Sequence, residues 1–425
     1  MDTLAHAITA PAAVYSIAGR RVEMGTAEFA EAVAEAHAAH QRPRCLCQVD
    51  GVEMYVARLA GPNGGYIVKR MPDTGSHHAP DCPSYEPPAE CSGLGQVLGS
   101  AISEDPATGE TTLKLDFALT RLPGRPHMAP TGASERDSVS SDGTRLSLRG
   151  LLHYLWDQAE LNRWHPGFAG KRSWATVRRK ILQAALHKSA CGRSLYSRLY
   201  VPEPFSIEER DAINARRLAQ WQTAGPAPGK AQPLMLLIGE VKEIVKARYG
   251  FKAIVKHLPD QAFTLDEQLY RRLGRRFEAE LALWGASDDI HLVMIATFGL
   301  SNAGVPAIHE LCLMPVTRQW LPVEDGFEKQ LVEKLVGDGR SFIKGLRYGL
   351  GATSAVACAT LTDGGASAPL LFVSSADIAD HWPPHQLRDP STPLWRWNPS
   401  SEAMPPLPPR QDSRQGVVTS SIAPR

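Results

Sequence analysis

The sequence predicts an α+β protein in three parts: a strand-rich N-terminal module, a basic helical middle and a C-terminal α/β region. Three observations predict it. Alternating apolar segments crowd residues 1–120, apolar stripes of helical period mark residues 147–225, and strand and helix patterns alternate over residues 233–400. A chain of 425 residues, 43% hydrophobic and 21% charged, is long and apolar enough to bury several cores.

The elements follow in order. A-V-Y-S-I-A opens as a strand and leads through G-R-R into a helix beginning near Thr26, whose Ala-rich body has high helix propensity. Pro43 ends that helix just before the first cysteine. V-E-M-Y-V-A-R-L and G-G-Y-I-V-K-R-M read as strands around the turn G-P-N-G-G, and D-P-A-T-G turns a later hairpin. Residues 121–146, rich in Pro, Gly, Ser and charge without a period, read as a flexible linker.

Ser147 starts a helix whose Leu148, Leu151, Leu152, Leu155, Trp156 and Ala159 form one stripe. A second helix runs from Trp174 to about Leu186. The capping box S-I-E-E at residues 206–209 opens a third. Past a Pro/Gly linker, P-L-M-L-L-I-G-E-V-K-E-I and G-F-K-A-I-V-K-H-L read as strands. Thr264 with Glu267 caps one long helix through L-A-L-W, and two further strands follow. A helix over 327–336 and strands around Phe342, Ala359 and Leu371 complete the region. Residues 401–425, Pro- and Ser-rich, read as a disordered tail.

Charge and cysteine usage exclude several classes. The net charge of +1 gives no whole-chain field for nucleic acid or membrane. Seven cysteines are too sparse and uneven for a secreted disulfide framework. The N-terminus has no basic segment or apolar core of a signal peptide, and no apolar run is long enough to span a bilayer. A cytoplasmic protein without a membrane partner is expected.

Three constellations carry chemistry. Cys45 and Cys47 form a C-x-C pair, and His77, His78 and Cys82 follow in G-S-H-H-A-P-D-C-P. Three thiolates and one imidazole complete the Cys₃His tetrahedron of a closed structural zinc site, expected at Cys45, Cys47, His78 and Cys82. Spacing alone leaves His77 as an alternative to His78 and lets Cys91 replace one donor. The opposing reading is a reduced Cys pair that never meets the His pair. Three thiolates disfavour a catalytic ion, because they leave little Lewis acidity and no open position.

The second constellation is basic. Residues 161–200 hold nine Lys and Arg residues and no carboxylate, interleaved with aromatics. Lys171, Arg172, Trp174, Arg178, Arg179 and Lys180 are the candidate contacts to DNA or RNA, cations for phosphates and a ring for a base. The bland alternative is a solvated helix face with core aromatics.

The third is Glu240-x-Lys242 at the end of an apolar strand, the spacing by which restriction-type nucleases hold magnesium and orient water. The C-terminal order of helix and strands follows the same core, with Glu328 and Asp363 in two acidic places. The third place reads Leu371-Phe372-Val373, so a restriction-endonuclease-like fold here would be a degenerate one.

L-S-L-R-G-L-L-H-Y-L-W-D-Q-A, W-H-P-G-F-A-G-K-R-S-W, L-L-I-G-E-V-K-E-I, R-S-F-I-K-G-L-R-Y and Y-I-V-K-R-M-P-D-T-G-S-H-H-A-P-D-C resemble the bacterial domain-of-unknown-function family numbered 1173. The likeness covers the chain to about residue 400. It implies an accessory role on plasmids and integrative elements, and no activity. Cys45, Cys47, His78 and Cys82 also resemble the finger of competence proteins of the CoiA kind, from which the C-x-C spacing departs. The combined expectation is a zinc-binding, nucleic-acid-binding accessory protein of a bacterial mobile element. The alternatives are a magnesium-dependent nuclease and a protein-interaction scaffold.

Overall fold

The computed structural model describes residues 13–58, 65–72, 74–105, 108–122, 143–226, 229–349, 356–365, 368–374 and 391–410. Most of the linker expected at 121–146, and the tail beyond 410, lie outside them. Helix and strand are mixed along the chain, as the α+β class requires.

The N-terminal sheet forms first. Strands β1 (Val14–Ile17) and β2 (Arg20–Glu23) turn tightly through Ala18 and Gly19, both at positive φ. Helix α1 (Ala27–Ala38) is capped by Thr26, whose hydroxyl accepts from the Phe29 amide at 3.1 Å. Strands β3 (Arg44–Cys45), β4 (Val52–Arg58) and β5 (Tyr66–Arg70) complete the antiparallel order β2-β1-β3-β4-β5.

The middle is threaded into its neighbours. After α2 (Gly93–Val97), the hairpin β6 (Ile102–Glu104) and β7 (Thr111–Leu113), and β8 (Thr120–Arg121), the chain enters α3 (Leu148–Gln158), capped by Ser147. Then come β9 (Arg163–Trp164), α4 (Trp174–Ala185), β10 (Lys188–Ala190), β11 (Arg193–Ser194), α5 (Leu195–Arg198) and β12 (Leu199–Tyr200). Strand β10 joins β7 in parallel, so the second expected part supplies a strand to the first. Helix α6 (Arg210–Trp221) begins past the capping box: Ser206 accepts only from the Glu209 amide, closing a turn, and Glu209 makes no side-chain cap. Strand β13 (Gln232–Pro233) pairs back to β8.

Residues 235–317 close into a ring. Strands β14 (Met235–Lys246), β15 (Phe251–Val255) and β16 (Ala262–Leu265) lead through α7 (Glu267–Arg276) and α8 (Glu278–Gly285) to β17 (Ile290–Leu300) and β18 (Pro306–Thr317). Residues 235–240 of β14 pair with β17 and residues 241–246 pair with β15, and β16 meets β18 in parallel. The ring β14-β15-β16-β18-β17 is a five-stranded Greek-key barrel. With α7 and α8 between its third and fourth strands, it opens the α/β region expected for this stretch. The expected single long helix is two. Thr264 sits in β16, Asp266 caps α7 by accepting from the Leu269 amide at 2.7 Å, and buried Phe277 separates α7 from α8.

Helix α9 (Gly326–Gly337), capped by Asp325, then packs Leu331, Val332 and Leu335 on a last sheet. Strands β19 (Phe342–Lys344), β20 (Ala359–Leu361), β21 (Leu370–Val373) and β22 (Leu394–Trp397) give the order β22-β21-β20-β19-β9. Residues 401–410, which composition assigns to the tail, pack on this sheet. Trp395 Nε1 donates to the Pro406 carbonyl at 2.9 Å, and Met404 and Leu407 cover the cluster.

Helix α3 explains why the boundaries at 120, 147 and 233 do not coincide with breaks in packing. Its residues Leu148, Leu151, Leu152, Tyr154, Leu155 and Trp156 are buried on every side, the mark of a helix enclosed by protein. One apolar cluster joins it to Leu94 and Leu113 before it and to Leu237, Ile295 and Phe298 of the barrel. Among the described residues, no helix is long and apolar enough to cross a membrane.

Candidate metal centre

Two turns bring the four donors together. Cys45 is fixed by strand pairing, opposite Tyr15 on one side and Val52 on the other, which points its sulfur into the small core. Cys47 follows in the turn that Gly51 closes at φ +64; a Cβ there would meet the Arg44 Cβ at 3.2 Å. The second turn spans 74–86. Its end amide, Glu86, donates to the Gly75 carbonyl, and a Cβ on Gly75 would lie 2.7 Å from Glu86 Cβ. That close approach demands glycine.

Cys45, Cys47, His78 and Cys82 present ligand atoms that all lie within 4.8 Å of one another. Cys45 Sγ is 3.7 Å from Cys82 Sγ; His78 Nδ1 is 3.3 Å from Cys47 Sγ and 3.7 Å from Cys82 Sγ. Tetrahedral zinc with Zn–S bonds of about 2.3 Å sets its sulfurs roughly 3.8 Å apart, so the residues fit the ion. His78 is 1% exposed and lies in the cluster, whereas His77 faces solvent. Cys91 packs with Ala357, Leu370 and Phe372, away from the cluster.

The thiols are crowded beyond what three unpaired thiolates tolerate. The hydrogen bond from Cys82 lowers the Cys45 thiol, and the same bond, followed by burial, pushes Cys82 up to about 12. Burial raises Cys47 as well. The Ala79 and Ser84 amides donate to Cys47 and Cys82 Sγ, as backbone does around metal-bound thiolates.

The centre sits at a seam. Tyr85, next to the second turn, shares an apolar cluster with Cys45, Cys82, Ile343 of β19 and Ala368. Arg163 of β9 donates to the Tyr85 carbonyl at 2.5 Å, and Arg70 of β5 pairs with Glu86 and donates to the Ser84 carbonyl. The centre therefore touches the N-terminal sheet on one side and the last sheet on the other.

The basic constellation disperses. Arg172 lies inside, donating to the carbonyls of Leu161, Arg163 and Gln319 beneath the Trp164 and Phe168 rings. Burial lowers it to about 10. Arg178 donates to the Val201 carbonyl, Lys180 pairs with Glu160 at 3.1 Å, and Trp174 is buried with its indole on the Pro202 carbonyl. Trp174 therefore has no face free for a base. Lys171 and Arg179 face solvent.

The nuclease residues are not gathered either. A register shift between Val241 and Glu243 makes Lys242 the extra residue of a β-bulge, so the alternation that would put it beside Glu240 fails. Lys242 is exposed, while Glu240 is buried between Lys256 Nζ at 2.5 Å and His291 Nδ1 at 2.6 Å. Asp363 is held bidentately by Arg340, and Glu328 pairs with Lys344 at 3.1 Å. The Glu240–Lys256–His291 cluster escaped sequence reasoning. Strand pairing alone brings its members together, and no spacing along the chain announces it.

The chain matches, over residues 15–400, the family described as protein of unknown function DUF1173, and it belongs to that family. No curated protein and no solved structure matches it.

Proposed function

We propose that this family member is a zinc-stabilised accessory protein that binds nucleic acid. Cys45, Cys47, His78 and Cys82 would hold one structural ion. The observation that carries the metal reading is the convergence of four soft donors, from two turns, within 4.8 Å. A bound zinc ion would supply the positive charge that lets three neighbouring thiols ionise together. The residues around it do the rest: Arg163, Arg70 and Tyr85 tie the ligand turn to both adjoining sheets.

Nucleic-acid contact is supported by exposed Lys171, Arg179 and Arg193 in a stretch that also exposes Phe168 and Tyr196. The mobile-element setting rests on the resemblance of the quoted motifs. Elemental analysis of the purified chain tests the metal: one zinc per chain is expected, falling to background in Cys82→Ser, and background metal in the wild type refutes it. Binding to duplex and single-stranded DNA that weakens with salt, and weakens again in Lys171→Glu/Arg179→Glu, is expected for the partner. Salt-independent or absent binding refutes that part.

A further inference from the structure

The barrel has a charged face that neither the metal centre nor the basic middle involves. We propose that this face, running from the β14–β15 hairpin to the cleft beside α7 and α8, is a track for a single strand of nucleic acid. The inference rests on the nucleic-acid reading above and names the strand and the surface.

Topology gives the first support. The ring order β14-β15-β16-β18-β17, with a parallel β16–β18 pair and a helical connection between the third and fourth strands, is the connectivity of OB-type barrels. Such barrels bind oligonucleotides or oligosaccharides on the face of their second and third strands and on the loops joining strands one to two and four to five. Here those are β15, β16, residues 247–250 and residues 301–305.

Charge chooses between the two ligand classes. Residues 242–252 carry Lys242, Lys246, Arg248 and Lys252 against one carboxylate, Glu243. Lys242, Lys246 and Arg248 are exposed, and the bulge at Lys242 turns it out of the alternation. A neutral sugar chain makes no use of such a row, whereas a phosphate backbone is drawn to it.

Aromatic faces choose between strand and duplex. Tyr249, at the hairpin tip, is 81% exposed, with the Arg248 guanidinium 5.4 Å from its ring centroid. The tip itself is held firmly: Gly250 sits at φ +75, and a Cβ there would lie 2.8 Å from the Leu265 carbonyl oxygen. Ile244, on the same hairpin, also lines a cleft of about 660 Å³ with Tyr270, Arg271, Arg275 and Trp284. Tyr270 stacks on Phe251 of β15, ring centroids 3.4 Å apart, which fixes one wall of that cleft to the hairpin. An exposed ring beside cations binds unpaired bases, whose faces a duplex hides.

The test is fluorescence anisotropy of the full zinc-loaded chain with a labelled oligothymidylate of about 15 nucleotides, over a salt series. Tyr249→Ala should weaken binding about tenfold, the fold-change expected for one lost base stack. Lys246→Glu/Arg248→Glu should weaken it further and flatten the salt dependence. Unchanged zinc content and circular dichroism show that these exposed substitutions leave the fold intact. Wild-type affinity in both hairpin variants, with loss only in Lys171→Glu/Arg179→Glu, overturns the track and keeps the nucleic-acid reading. Tighter binding to the matching duplex also overturns the track. No binding to either form sinks both.

Discussion

The N-terminal sheet and the barrel are both built of β-strands, and they are held together by different means. The sheet β2-β1-β3-β4-β5 closes on a short set of apolar side chains, among them Tyr15, Ile17, Val22, Val33 and Met54, together with Cys45 and Cys82. The barrel closes on Leu237, Ile238, Val255, Phe263, Ile295 and Phe298, and its cluster extends into α3 and beyond. A region with a small core is the kind that a staple stabilises, and this one carries the four-donor cluster that could hold a metal ion. A region with a large one is held by packing and by a strand ring without free edges. The proposed metal dependence therefore belongs to one part of this fold.

Removing a ligand should break the comparison most visibly. Structural zinc contributes on the order of 10 kcal/mol to small modules. Cys82→Ser is expected to abolish amide protection in residues 14–58 while the barrel strands keep theirs, as hydrogen exchange read by mass spectrometry would show. Equal loss in both regions would mean that they fold as one unit.

The reciprocal change is smaller. Phe263→Ala empties a fully buried position that touches the Trp221 and Phe298 rings, at a cost of about 3–5 kcal/mol. Denaturant melts should shift by that amount with zinc content unchanged. A loss of zinc in the folded variant would show the two regions to be coupled.

The smallest effect lies between the regions. Asp157, at the end of α3, is raised to about 6 by burial and then by Glu86 of the ligand turn, and accepts from Asn162 Nδ2 at 2.7 Å. The folded state thus keeps a proton that the unfolded chain releases near pH 4, so stability falls as pH rises from about 4 through 6. Asp157→Asn removes that cost. It should stabilise the protein by roughly 1–3 kcal/mol above pH 6 and change little near pH 4. Thermal melts across this range check the sign, and a variant less stable at pH 8 would contradict it.

Local signals survived the step from sequence to structure, and pairings at a distance did not announce themselves. Helices begin at Thr26 and Ser147 where they were expected to begin, the caps expected at Ser206 and Thr264 do not form, and the hairpin strands at 52–58 and 66–70 pair as their alternation requires. The donors Cys45, Cys47, His78 and Cys82 were legible because each pair lies within one turn. The choice of His78 was not, since two adjacent histidines differ only in which one the fold buries. Barrel closure depends on β14 dividing its pairing between β15 and β17, and nothing in an apolar run reveals such a division. The basic run divides for a related reason: Arg172, Arg178 and Arg198 are long enough to reach carbonyls of distant segments, while Lys171 and Arg179 stay at the surface.

The segment over residues 404–410 has a practical consequence for anyone shortening this chain. The Pro406 carbonyl receives the Trp395 indole, and the Pro408 carbonyl receives a guanidinium nitrogen of Arg340, itself 6% exposed. Cutting at residue 400, where the recognisable strands have ended, would strip both donors of their acceptors. It would also uncover the apolar wall that Met404 and Leu407 shield. Each abandoned buried donor costs about 1–3 kcal/mol. A proline-rich segment that looks expendable is part of the outer casing of the last sheet.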